Sequence, residues 1–433
     1  MLAYDAASAE APGAYAARRI RQRQQEDTNR MNGVKVRLAA MMFLEYFIWG
    51  AWYVTVGTWL GRTQHFSGEQ IGLVAGTTAV GAIVSPFFAG WLADRFFATQ
   101  HLLAALHLAG ALLLYLASGR TAFAPIYWLV LAYACLYMPT LALTNSLAFR
   151  QMRNPETEFG PIRVLGTAGW IAAGLLVGGL GIEASAAPLR LAAAASLALA
   201  LYAFTLPHTP PVKEAGEFHI ARLLPVEAIG LFREPAFAIF ALASFLICVP
   251  LQFYYAFTNL FLNEIGIRDA AGKMTGGQMS ELVCMLLIPW FFRRLGVKYM
   301  LIAGMAAWAL RYVFFAYGNS GAVLWMLYGG ILLHGICYDF FFVTGQIYVD
   351  HKAPPAARAA AQGMITLITY GAGMLLGSWL SGRVVDHFSS LAPDGSAAHA
   401  WRSIWLVSAA LSATILVLFF IAFSDRDSQM KSA

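Results

Sequence analysis

The chain has 433 residues, of which 59% are hydrophobic and only 12% charged, with a mean hydropathy of +0.61. A soluble protein of this length carries about twice that charge fraction, so an ordinary water-soluble class is excluded and a polytopic membrane protein is indicated. The net charge of +6 reflects 29 basic residues against 23 acidic ones; the basic residues sit mainly in short loops between apolar runs, not in a patch suited to nucleic acid.

Residues 1–35 open the chain with "MLAYDAASAEAPGAYAARRIRQRQQEDTNR" and have no apolar core of a signal peptide. They read as a disordered cytoplasmic tail, and Met31 begins "MNGVKVRL", an alternative start for the membrane part. Twelve apolar spans follow, at approximately 37–60, 68–93, 101–118, 124–149, 161–182, 187–206, 236–261, 275–293, 298–317, 322–349, 358–381 and 402–424. The longest polar connection, "PHTPPVKEAGEFHIARLLPVEAIGLFREP", lies between the sixth and seventh. The predicted class is an all-α membrane protein: a six-helix half at 36–206, a cytoplasmic linker at 207–235, a second six-helix half at 236–424 and a short cytoplasmic tail at 425–433.

Lysines and arginines cluster on the side that carries both termini, among them Lys35, Arg37, Arg95, Arg150, Arg153, Lys213, Arg233, Arg293, Arg294, Lys298, Lys352 and Arg358. The positive-inside rule therefore places both termini in the cytoplasm. Cys135, Cys248, Cys284 and Cys337 all fall in apolar runs, so they read as packing residues and no disulfide or metal framework is expected. "GKMT" at 272–275 lacks the upstream glycine of a phosphate-binding loop, so ATP is not expected as the energy source.

A charge in mid-span costs about 3 kcal/mol on insertion scales and marks a functional candidate. Helical spacing gathers such groups onto single faces. Span one presents Glu45, Trp49 and Trp52; span five Arg163, Thr167 and Trp170; span seven Gln252, Tyr255 and Asn259. Span eight adds Gln278 and Glu281, and span ten His334, Tyr338 and Asp339. Thr140, Thr144 and Asn145 in span four are read as interhelical glue, whereas Glu45, Glu281, Asp339 and Arg163 exceed what packing requires. Aromatic faces carrying amides and acids suit a flat, polar, ring-containing ligand. Arg311 in span nine either pairs with Asp339 or reaches an interface. His334 and Asp339 also spell H-x4-D, a spacing that some membrane acyltransferases use. Five helical positions diverge by about 140°, and the pair lies deep in a span, so this enzyme reading is weak.

"GWLADRFF" at Gly90–Phe97 resembles the G-x-L-x-D-R loop of the major facilitator superfamily, in which Asp94 and Arg95 would serve a cytoplasmic gate. "FIWGAWYVTVGTWL", "YMPTLALTNSLAF", "PIRVLGTAGW", "LQFYYAFTNLFL", "QMSE", "YDFFFVTG" and "ARAAAQGM", in that order along residues 31–425, are similar to bacterial nucleoside permeases. The chain thus resembles the nucleoside:H⁺ symporter family of that superfamily. The resemblance implies the major facilitator fold and proton-driven nucleoside uptake by alternating access across a bacterial inner membrane. It implies substrate binding by Arg163, Thr167, Gln252, Gln278, Glu281, Tyr338 and Asp339; Tyr255 and His334 occupy further positions of the same faces. Tyr255 replaces an asparagine of a relative, His334 a tyrosine, Tyr338 and Trp170 phenylalanines, and Glu45 a glutamine, so base or sugar preference is open to change. Asp339 is the expected proton carrier, with Glu281 as its competitor, and an Asp339–Arg163 pair is expected to form in one state and break in another. Asp94 is expected beside Arg358 at the start of span eleven. The expected partners are nucleosides, protons and the lipid bilayer, with no cofactor, no metal and a monomeric chain. The alternatives are a permease of the same fold for a sugar or nucleobase and, further off, a proton-coupled drug exporter.

Overall fold

In the computed structural model of the protein the described residues are 12–211, 226–391 and 397–424, and of residues 12–30, 85–95, 156, 226, 227, 356 and 391 only the backbone is described. Among the described residues, nine helices are long and apolar enough to cross a membrane, and the shorter apolar helices Gly68–Val84 and Ala187–Ala203 join them. The longest, Ala270–Tyr317, is two helices: Gly296 interrupts it at φ 66° and ψ 177°. That backbone region is open essentially only to glycine, which lets the chain reverse there without strain.

Each expected span consequently has its helix. They are α1 (Pro12–Trp52), α2 (Gly68–Arg95), α3 (Thr99–Ser118), α4 (Phe123–Gln151), α5 (Pro155–Gly179) and α6 (Ala187–Ala203) in the first half. The second half has α7 (Pro235–Glu264), α8 (270–295), α9 (297–317), α10 (Leu324–Lys352), α11 (Arg358–His387) and α12 (Trp401–Ala422). Leu286 and Ile421 are 82% and 74% exposed. Large aliphatic side chains standing free on a helical bundle are the surface a bilayer requires.

Two features depart from the sequence reading. The helix of the first span reaches back to Pro12, so residues 12–35 are helical and not an irregular tail; the alanine-, arginine- and glutamine-rich composition favours helix over coil. Between α11 and α12 a two-stranded hairpin pairs Ser389–Leu391 with Ala397–His399, an addition to an otherwise helical chain. Of the expected linker, residues 212–225 lie outside the described residues; Val226–Ile229 and Gly230–Arg233 form two short helical turns. The expected tail at 425–433 also lies outside them.

Basic residues at the end of the bundle that carries the termini hold it together. Arg37 donates to the carbonyl of Thr205 beyond α6, and Lys298 to those of Phe420 and Phe423 at the end of α12. Cations at the exposed carbonyls of helix ends complement the helix dipole. At the opposite end the two halves meet, α2 against α11 and α5 against α8. A Cβ on Gly72 would strike the Ser378 carbonyl, and one on Gly178 would strike Asp269. Glycine at these positions is what lets the helices approach so closely.

Candidate functional site

Aromatic side chains from both halves line the middle of the bundle. In the first half Trp49 of α1 lies 5.4 Å edge-on to Trp170 of α5 and 5.7 Å from Tyr53. Tyr53 continues the wall to Tyr255 of α7 at 5.8 Å, and Tyr255 meets His334 of α10 edge-on at 6.1 Å. His334 is 5.8 Å from Tyr338, which leads to Phe342 and Tyr370 of α11. The Tyr338 and Tyr370 hydroxyls are in hydrogen-bond contact. Two of the wall's helices are locally widened into π-helical turns, α10 at Asp339–Val343 and α11 at Leu367–Gly373, and a third such turn, Trp59–Thr63, follows α1. Such turns rotate the side chains that follow and are common at functional sites.

Polar groups punctuate this wall, most of them in the second half. Gln252 is fully buried beside the Tyr53 hydroxyl, and neither atom of its amide makes a well-aligned hydrogen bond among the described residues. Gln278 lines a small cavity with Val54, Trp170, Tyr254 and Thr275, placed between the halves. Glu281 brings its carboxylate 2.7 Å from Nε2 of His334, close without being an aligned hydrogen bond. Asp339 begins the π-helical turn of α10 and is fully buried, with no partner for either carboxylate oxygen among the described residues.

The structure brings Gln252, Tyr255, Gln278, Glu281, His334, Tyr338 and Asp339 onto the facing helices of the second half. Arg163 and Thr167 are half-buried on α5 of the first, and the Arg163 guanidinium stands 4.0 Å over the ring of Tyr46. The expected Asp339–Arg163 pair is not formed here. Arg311 does not pair with Asp339 and does not reach an interface: it is fully buried, donates from Nε to the Gly330 carbonyl at 2.8 Å and stacks 3.8 Å over Tyr254. The flat guanidinium is stabilised by the ring face and a carbonyl in place of a carboxylate. Nor do His334 and Asp339 form a pair, because the helix turns them apart and His334 faces Glu281. The side chains of Asp94 and Arg95 lie outside the described residues, and Arg358 is 3.6 Å from Asp350.

Glu45 is the clearest correction. It does not face the aromatic wall. Its carboxylate meets Nε2 of His107 at 2.9 Å and accepts from Thr140 Oγ1 at 2.6 Å, while Tyr137 donates to its backbone carbonyl. Nδ1 of His107 in turn meets Ser196 Oγ at 3.0 Å. A buried charge is tolerable when paired and hydrogen-bonded, and here α1, α3, α4 and α6 together supply the partners. Thr140 thus acts as the glue that was expected of it. Trp52 is also turned inward, against Tyr133. Sequence reasoning missed His107, Tyr254 and Tyr370. His107 and Tyr370 lie on apolar helices without a neighbouring charge to draw attention, and only the facing helix reveals their partners.

The fold is that of known transporters. Chain-wide likeness to a bacterial homologue of the human lysosomal transporter Spinster, captured facing inward, has a TM-score of 0.72 at 13% identity and covers 91% of this chain and 97% of that one; it speaks to fold alone. Residues 31–428 match the family described as Nucleoside H+ symporter. The chain belongs to the nucleoside H⁺ symporter family. Among relatives of this symporter, the YegT protein of Escherichia coli (strain K12) is 44% identical over 91% of this chain and 95% of its own length. The xanthosine permease of the same organism is 35% identical, covering 90% of this chain and 96% of its own. The crystal structure of the nucleoside transporter NupG superposes with a TM-score of 0.83 at 32% identity, covering 91% of this chain and all of that one. The symporter has the major facilitator fold, and its family is one of transporters, not enzymes.

Proposed function

We propose that the protein imports nucleosides together with protons across a bacterial inner membrane, as a monomer with both termini in the cytoplasm. The observation that supports this reading best is the aromatic wall shared by both halves, with the buried amide of Gln252 beside Tyr53 and the carboxylate of Asp339, without a hydrogen-bond partner among the described residues, next to Tyr338 in α10. Ring faces stack on a base, while amides and carboxylates offer the donors and acceptors that base edges and ribose hydroxyls need. Gln252, Gln278, Glu281, Tyr255, His334 and Tyr338 hold the nucleoside from the second half, and Arg163 and Thr167 hold it from the first.

Asp339 carries the proton, and Glu281 beside His334 is the second candidate. Asp339 takes up or releases a proton without breaking an existing contact. When the halves rock, its surroundings change, and so does its proton affinity. Meeting Arg163 in another state would give protonation a contact to break, coupling it to the rocking motion. At a membrane potential of about 150 mV, one charge is worth roughly 3.5 kcal/mol, enough for accumulation of several hundredfold. Asp94 and Arg95 are assigned to the cytoplasmic gate.

Counterflow of labelled nucleoside in proteoliposomes tests the substrate class directly. Exchange stimulated by nucleosides but not by sugars or free nucleobases is the expected result. Counterflow with sugar alone would move the assignment to another solute of the same fold. Accumulation driven by an imposed proton gradient, and lost on adding a protonophore, is the companion measurement.

A further inference from the structure

At the end of the bundle opposite the termini, two carboxylates each cross from one half to the start of a helix in the other. Asp386, at the end of α11 in the second half, accepts hydrogen bonds from the first amides of α2 in the first half: Gly68 N at 2.5 Å and Glu69 N at 2.8 Å. Glu183, just beyond α5 in the first half, accepts from Ala271 N at the start of α8 in the second half, at 2.8 Å. Its other oxygen accepts from the Asn259 amide at 3.2 Å and from Asn263. Thr58 of the first half reaches the same asparagine, donating to Asn259 Oδ1.

The two arrangements are counterparts. α2 and α8 are the second helices of their halves, and α5 and α11 the fifth. In each case a carboxylate following or ending the fifth helix caps the second helix of the opposite half. Both crossings also depend on a missing side chain, Gly68 against Gly382 and Gly178 against Asp269 and Gly272. Around the Asp386 cap, Glu69 is held by Trp379 Nε1 at 3.1 Å and Arg383 at 3.3 Å, both from α11.

A purely structural role would be to start helix α2, but that helix already has a local start. Ser67 Oγ accepts from Gln70 N at 3.2 Å and the Gln70 side chain accepts from Ser67 N at 3.1 Å, a reciprocal capping box. The box answers the amides of Ser67 and Gln70 only; those of Gly68 and Glu69 take their acceptor, Asp386, from across the halves, so the start of α2 is tied to the other half. Carboxylates at helix starts also interact favourably with the helix dipole. Unlike two charges buried together, each cap joins one carboxylate to amides that water can satisfy once the halves part. The contact is therefore reversible.

We infer that Glu183 and Asp386 are a pair of matched latches that close the extracytoplasmic mouth of the transporter, and that the strength of the two caps sets the balance between the state seen here and the state open on that side. This rests on the reading of the chain as an alternating-access transporter, but not on what it carries.

The test uses the full chain with alanine in place of its four cysteines and spin labels at Arg62→Cys and Arg268→Cys, exposed positions in opposite halves at that end. Distances between the labels are read by pulsed electron resonance without substrate. Glu183→Ala and Asp386→Ala should each raise the ratio of long to short distances by about tenfold, the effect of losing a helix cap. The double variant should raise it by about a hundredfold, because the two contacts are separate. Asp386→Asn, which keeps an accepting oxygen, should stay within about threefold of the parent. Unchanged distance distributions in monodisperse Glu183→Ala and Asp386→Ala proteins overturn the proposal. If Asp386→Ala does not yield monodisperse protein, an unchanged distribution in Glu183→Ala overturns it alone. No nucleoside enters the experiment, so failure of the nucleoside assignment in counterflow and failure of the latches are separate results.

Discussion

The two halves treat the acids buried in their spans differently. In the first half Glu45, His107, Thr140 and Ser196 satisfy one another across four helices. In the second half Gln252, Asp339 and two nitrogens of Arg311 are buried without well-aligned hydrogen-bond partners among the described residues. A satisfied network rigidifies the element that holds it, whereas unsatisfied groups cost stability and are kept where function needs them. The first half is thus built as a scaffold that offers an aromatic wall and Arg163. On the proposed reading, the second carries the groups that engage substrate and proton.

The largest effect should come from the second half. Asp339→Asn keeps the shape and hydrogen-bonding capacity of the side chain but cannot titrate, and it should abolish proton-driven accumulation while exchange of nucleoside persists. If proteoliposomes carrying this variant still concentrate nucleoside under a pH gradient, the proton moves elsewhere and Glu281 becomes the carrier.

Glu45→Ala should be the most damaging change in the first half, but as a folding defect. It leaves His107 Nε2 without its partner and Thr140 with only its own helix carbonyl, and each buried polar group left unsatisfied costs about 1–3 kcal/mol. Glu45→Gln retains an acceptor and a donor and should recover most of that loss. Denaturation in mild detergent reads the difference. A Glu45→Gln protein of normal stability with altered proton stoichiometry would contradict the scaffold reading.

Gln278→Ala should weaken nucleoside binding by about 1–3 kcal/mol, since it leaves a polar group of the ligand without its partner. The titration to run is calorimetry with and without Gln252→Ala in the same background. Unchanged affinity in both would remove the glutamines from the site.

Tyr338→Phe should be the mildest change. It removes the hydroxyl contact to Tyr370 but leaves the ring wall intact, at a cost of about 1 kcal/mol or less in stability. Its use is in specificity: a change in the ratio of affinities for two nucleosides would show that the hydroxyl reads the substrate, and an unchanged ratio would assign it to joining α10 and α11.

Much of this architecture is legible without coordinates. A bilayer core of about 30 Å demands runs of about twenty apolar residues, so the spans announce themselves by composition alone. The long polar stretch after the sixth span divides the halves for the same reason. Mid-span polar residues are rare enough that Gln252, Gln278, Glu281, His334 and Asp339 stand out against their neighbours, and all of them lie on facing helices of the second half. The sequence by itself therefore determined which helices exist and which side chains are too costly to be accidental.

Tertiary structure alone decided who meets whom. Glu45 and Glu281 look alike in sequence, each an acid in an apolar helix, yet one is answered by His107 and Thr140 and the other approaches a histidine of α10. The partner of each lies on another helix, tens of residues away, and helical spacing says which face a residue occupies but not what that face packs against. Arg311 shows the same limit: its neighbours are a carbonyl and a ring, groups that every helix carries and that no pattern marks. Glu183 and Asp386 were invisible for a further reason. They lie close to loops, where acids are ordinary, and become exceptional only because the halves close there and bring the amide end of an opposing helix within hydrogen-bond reach.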